Sequence, residues 1–158
     1  MVSDKSDTIT TKETLGSKVV GTWRLVSWVY ENEQGEVVHY FGEGATGILM
    51  YDDKGNMNAQ LMKAERPVFT SGAISAGSQT ETYEAFMSYL AYYGKYYEPE
   101  PGVIIHLVEG SLFPNWLGDK QKRYARIDGD FLIISTPPIA AKDREITFYI
   151  TWKRDAGK

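Results

Sequence analysis

The sequence predicts a mainly β fold in one domain, either a closed antiparallel barrel or a sandwich. Three observations carry this. Short runs of alternating apolar and polar residues recur at intervals of about 8–12 residues, bounded by glycine, proline and Asx turn signals. Only one stretch shows the start signals of a helix. Nothing in the 158 residues divides the chain, neither a repeat nor a low-complexity linker, and the length suits a single core.

Residues 1–17 are polar and aperiodic and are expected to form a disordered tail, leaving 18–158 as the folded domain. Residues 19–30 (VVGTWRLVSWVY) alternate as one long strand, and Gln34-Gly35 supplies a turn. Residues 36–40 follow, then a glycine-punctuated connection over 41–47. Residues 47–51 and 56–62 make a hairpin around Asp52-Asp53-Lys54-Gly55, whose glycine suits the positive φ of such a turn. After a long loop over 63–77, Ser78 caps a helix and Glu81, three residues on, completes a capping box. Tyr83, Phe86, Leu90 and Tyr93 then recur at helical spacing as one buried face, and Gly94 stands where a left-handed C-terminal cap belongs.

Strands resume over 95–98, turn at Pro99-Glu100-Pro101-Gly102, and continue over 103–112 with a bulge expected at Gly110. Residues 114–118 form a tight connection. Strands over 120–127, 131–136 and 144–154 complete about nine in all. Asp128-Gly129 is a hairpin turn, and Pro137-Pro138 ends the strand before it.

Composition removes several classes of function. The absence of cysteine excludes disulfides, thiolate metal sites and a cysteine nucleophile, and only His39 and His106 could offer imidazole. No metal and no cofactor are expected. A net charge of −4 without any basic run argues against nucleic acid. No window is long and apolar enough to span a bilayer, and residues 1–18 lack the apolar core of a secretory signal, so a cytoplasmic protein is expected. There is no phosphate loop, dinucleotide fingerprint or G-x-S-x-G elbow. The distinctive feature is tyrosine: eleven in all, with Tyr83, Tyr89, Tyr92, Tyr93, Tyr96 and Tyr97 inside fifteen residues. Such side chains build walls that are dry yet carry polar tips, or simply fill a β-rich core.

Gly21-Thr22-Trp23 at the head of the first strand looks like the glycine-x-tryptophan signature of lipocalin and calycin barrels. The segments GTWRLVSW (21–28), YFGEGATGILMY (40–51), MNAQLM (57–62), YLAYYGKY (89–96) and HLVEGSLFPNWLGDKQKR (106–123) resemble, in order, the lipocalin-like domain family of bacteria and fungi, over about residues 19–154. The resemblance implies an antiparallel barrel, of about 8–10 strands here, and takes in the one short helix, which is expected to act as its lid. It implies that Trp23 plugs the closed end beneath a basic residue, Lys153 or Arg154, with Gly21, Trp23 and Arg154 forming the signature. It also implies that a small, mostly apolar molecule occupies the centre.

Within such a barrel, parity from Trp23 would turn Leu25, Ser27 and Val29 inward, and parity on the last strand would group Phe148, Ile150 and Trp152. The expected ligand-binding set is Ser27, Met50, Gln60, Tyr89, Tyr93, Tyr124 and Phe148. His106 sits between apolar pairs on a face shared with Ile104 and Val108. It reads either as a proton donor or acceptor poised near neutral pH, with Tyr96 and Glu109 as catalytic partners, or as a core histidine bonded to Tyr96, Tyr124 or a carbonyl. Arg123 reads either as an anchor for a ligand carboxylate or, preferred, as an outward ion pair with Asp119 or Glu109. Trp116 is expected to close a barrel end.

Three functions remain open. The first is binding of a small hydrophobic or aromatic molecule, polyketide- or terpenoid-like. The alternative is a cofactor-independent isomerase or cyclase of secondary metabolism that uses His106 as acid or base. The third is an interaction module docking through Trp28-Tyr30 as an exposed patch. Association of barrel edges into a homodimer is compatible with each.

Overall fold

A computed structural model describes residues 13–157. Residues 1–12, most of the expected tail, lie outside the described residues. Leu15–Lys18 is a helical turn (α1), so order begins within the stretch assigned to that tail; the Thr14 hydroxyl caps it by accepting from the Ser17 amide.

The barrel strands are β1 (Gly21–Glu31), β3 (Thr46–Tyr51), β4 (Asn56–Met62), β5 (Tyr89–Glu100), β6 (Val103–Ser111), β7 (Lys120–Asp128), β8 (Phe131–Ser135) and β11 (Phe148–Arg154). Each pairs antiparallel with the next, and β1 pairs back onto β11, which closes the sheet without a free edge. A short strand β2 (Val37–His39) extends β1 at one end. The closed barrel settles the choice against a sandwich.

Three insertions decorate this meander. Helix α2 (Gln79–Met87) carries the expected capping box: Ser78 Oγ accepts from the Glu81 amide, and Glu81 accepts from the Ser78 amide. A 3-10 turn covers Pro114–Trp116. A hairpin of β9 (Ile139–Ala141) and β10 (Arg144–Ile146) stands between β8 and β11, where one continuous strand over 144–154 was expected.

The expected helical face fails beyond residue 87. Tyr83 is 64% exposed and no residue of α2 is buried, while Leu90 and Tyr93 belong to β5. Gly94 is therefore no helix cap. It sits in β5 opposite Val108, where a β carbon would lie 1.9 Å from the Leu107 carbonyl oxygen. Between this pair and Tyr93↔Gly110, Glu109 is the extra residue of a bulge, one position from where it was expected.

A second bulge decides the cavity. Leu25 pairs with Trp152 and Ser27 with Thr151, so Val26 is inserted in β1 and inward parity switches to Trp28 and Tyr30. Below this level the core is solid around Trp23, Leu49, Leu132 and Trp152. Trp23 is fully buried, donates from Nε1 to the Val19 carbonyl at 2.8 Å, and lies 4.1 Å beneath the Arg154 guanidinium. Arg154 also donates to the carbonyls of Val20 (3.0 Å) and Lys18 (2.7 Å), which ties α1 across the closed end. Gly21, at φ +134°, leaves the space beside that guanidinium open.

Candidate functional site

Above the packed floor the barrel opens into a chamber of about 820 Å³, within the size range of small-molecule sites. Its wall is mostly rings and aliphatic chains. Trp28, Phe41 and Phe148 form one aromatic group, with centroids of Trp28 to Phe41 and Phe148 at 4.8 and 5.7 Å. Tyr92 and Trp116 form another, edge to face at 5.5 Å. Ala59 and Leu61 of β4 and Ile134 of β8 fill the spaces between. Phe86 and Met87 of α2 border the mouth with Ala140 and Lys142 of the β9–β10 hairpin. Because Phe86 and Met87 are 40% and 49% exposed, α2 contributes a rim and no core.

His106 lies on the wall at 1% exposure, on the same face as Ile104 and Val108 as the alternation implied. Its partners are neither Tyr96 nor Tyr124. Tyr51 Oη stands 2.7 Å from Nε2 and Tyr92 Oη 2.9 Å from Nδ1. A neutral imidazole carries one N–H, so one tyrosine accepts from the ring and the other donates to it. Burial, then the Arg123 charge, holds His106 well below the ordinary imidazole range, so the ring is neutral rather than poised near neutral pH. Burial pushes Tyr51 well above the usual phenol range, with Tyr92 adding to the rise. The three groups form a closed, uncharged chain whose Tyr92 end reaches the chamber wall.

Tyr96 and Glu109 do not join this group as catalytic partners. The Tyr96 hydroxyl donates to the Asp52 carbonyl at 2.6 Å, next to the β3–β4 turn, and burial followed by Asp52 and Asp53 raises its pKa. Glu109 is exposed on the bulge.

The expected ligand-binding residues divide between wall and outside. Phe148 and Tyr89 line the chamber. Tyr89 is a rim residue: its hydroxyl donates to Gln60, and its ring lies under the Arg66 guanidinium at 5.1 Å. Gln60 itself faces an outer groove of about 330 Å³ with Arg24 and Met62. Ser27 is outward because of the Val26 bulge. Met50 points out beside inward Leu49 and is 41% exposed. Tyr93, 56% exposed, lays its ring over Gly110 on the outer surface, and Tyr124 packs under Lys122 at 5.1 Å.

Trp28 and Tyr30 do not form an exposed patch. Trp28 is 8% exposed on the chamber wall, and Tyr30 packs against Phe148. Arg123 is not outward either; it lines the chamber at 6% exposure. Sequence parity could have found it, since Gln121, Ala125 and Ile127 alternate against Lys120, Lys122, Tyr124 and Arg126. Among the described residues no three His, Asp or Glu side chains converge as a metal site, and no helix is long and apolar enough to cross a membrane.

An eight-stranded meander closed on itself, plugged by a tryptophan under an arginine and hollow above, defines a lipocalin-type barrel. The chain belongs to the lipocalin-like domain family, whose match spans residues 20–155. It is also 33% identical over 106 residues to the 4'-hydroxy-3'-methoxypropiophenone carrier protein of Aspergillus oryzae, an alignment covering 62% of this chain and 96% of the relative.

Proposed function

We propose that the protein binds a small, oxygen-bearing aromatic molecule in its chamber. The observation that carries this reading is the contrast between a close-packed floor and a void walled by Trp28, Tyr92, Trp116 and Phe148. Flat rings meet flat rings there, and a ligand burying about 200 Å² of apolar surface gains roughly 5 kcal/mol before ordering costs. The relative's name, that of a carrier for a hydroxylated and methoxylated phenyl ketone, supports the same chemical class.

Trp28, Trp116 and Trp152 all face the chamber, so occupancy reads out as quenching of intrinsic fluorescence. Titration with 4'-hydroxy-3'-methoxypropiophenone is expected to quench saturably at one ligand per chain. Ala59→Phe, which adds a ring to the void, is expected to weaken uptake while the chain stays folded. A wild-type protein that shows no saturable response to this ketone, nor to the neutral probe N-phenyl-1-naphthylamine, overturns the reading.

The alternative is the cofactor-independent isomerase or cyclase, and the Tyr51–His106–Tyr92 chain is what favours it. Tyr92 would then meet the substrate and His106 would act through it, because both ring nitrogens are engaged. Binding asks for no free base, and it is the reading adopted.

A further inference from the structure

Arg123 is buried in the chamber wall without an anion against it. Two of its five N–H groups are engaged: Nη1 donates to the Lys122 carbonyl and Nη2 to Gln121 Oε1, each at 2.9 Å. Both acceptors are neutral. Asp119 reaches it only through the Gln121 amide, whose Nε2 donates to Asp119 Oδ2 at 3.3 Å. Among the described residues no carboxylate pairs with it.

An unpaired buried charge is among the costliest features a fold can hold. The same strand shows the cheaper solution, since Lys120, Lys122 and Arg126 all point to solvent. A second orphan shares the wall. Trp28 Nε1 is buried with no hydrogen-bond partner among the described residues. Both unfilled positions are donors, and the one carboxylate among the chamber's lining residues, Asp119, lies exposed.

We propose that Arg123 anchors an anionic oxygen group of the ligand, so that the chamber takes an aromatic carboxylate or phenolate more tightly than its neutral counterpart; this rests on the cavity reading above. The planar guanidinium fork grips a carboxylate in two-pronged fashion and an ionised phenol through one oxygen. The aromatic remainder lies among the rings. The positive field of Arg123 already reaches this space, since it disfavours a proton on His106.

The test uses 8-anilinonaphthalene-1-sulfonate, which is anionic, and N-phenyl-1-naphthylamine, the same skeleton without the sulfonate. Arg123→Met is expected to weaken the anionic probe about tenfold or more and the neutral probe less than about twofold. Loss of neither, or equal loss of both, overturns the proposal. If the wild type takes up the neutral probe and not the anion, this proposal alone falls; if it takes up neither, the cavity reading falls with it.

Should Arg123→Met fail to fold, competition on the wild-type protein decides. Against the neutral probe, 4-hydroxy-3-methoxybenzoate is expected to compete about tenfold better than its methyl ester. A 4-nitrophenol arm, run on both sides of its own ionisation, separates the sources. An advantage of acid over ester assigns the anchor to carboxylates, and a gain only on ionisation of the nitrophenol assigns it to phenolates. Absence of both overturns the proposal.

Discussion

Replacing His106 by glutamine should flatten the acid limb of the stability curve. In the folded chain burial and Arg123 hold the imidazole well below its usual pKa, whereas in the unfolded chain it titrates near about 6.5. The unfolded state therefore binds the proton first. Stability from this group is complete above the unfolded pKa and is lost as pH falls, at up to about 1.4 kcal/mol per pH unit until the folded pKa is reached. From about pH 6.5 to about pH 5 that loss comes to at most about 2 kcal/mol. His106→Gln keeps a donor and an acceptor for Tyr51 and Tyr92 but has no proton to gain. Asp52, Glu81 and Asp155, whose pKa values are all lowered, titrate alike in both proteins and cancel in the difference. Urea denaturation at three pH values and fixed ionic strength should give wild-type and variant stabilities that converge on acidification. Parallel curves would refute the argument, because they would mean that His106 picks up its proton equally well in both states.

At the closed end, Arg154→Met removes the contact across Trp23 and two charged donations to carbonyls, and should cost about 2–4 kcal/mol by urea denaturation with ligand affinity little changed. A cost below about 0.5 kcal/mol would leave Arg154 as an ordinary surface residue. Gly94→Ala places a methyl 1.9 Å from a backbone oxygen that cannot yield, so about 3 kcal/mol of destabilisation or failure to fold is expected; a fully stable variant would show that the β5–β6 bulge can shift register.

The barrel itself was legible because its information is local. Alternation and turn residues marked the strands, and β4 runs over 56–62 as the pattern alone indicated. The residues of the site were less legible because each depended on parity, and parity is reset by single inserted residues. Val26 turned Ser27 outward and Trp28 inward; the only local trace is the adjacent apolar pair Leu25-Val26, which sets the polar Arg24 and Ser27 three residues apart. Tyr92 was hidden for a different reason. Tyr83 and Phe86 belong to α2 and Leu90 continues their spacing only by chance, while the strand that begins at Tyr89 is set by pairing with Met62, a contact that no local window contains. Arg123 was legible in its parity and misjudged on energy, since burying an unpaired cation is the worse choice for the fold.

That misjudgement separates the two polar systems of this chamber. Tyr51, His106 and Tyr92 satisfy one another, carry no charge, and leave the imidazole no free nitrogen. A network of that kind contributes rigidity to the wall and would have to break before it could move a proton to or from a ligand. Arg123 and Trp28 present the reverse: donors already desolvated and left with capacity to spare. Groups held at a cost to the fold are the ones whose partners come from outside it. The distribution therefore supports holding over turnover, since the buried donors free to meet a guest carry no base, the imidazole is closed off by its own tyrosines, and the lining carboxylate, Asp119, lies exposed.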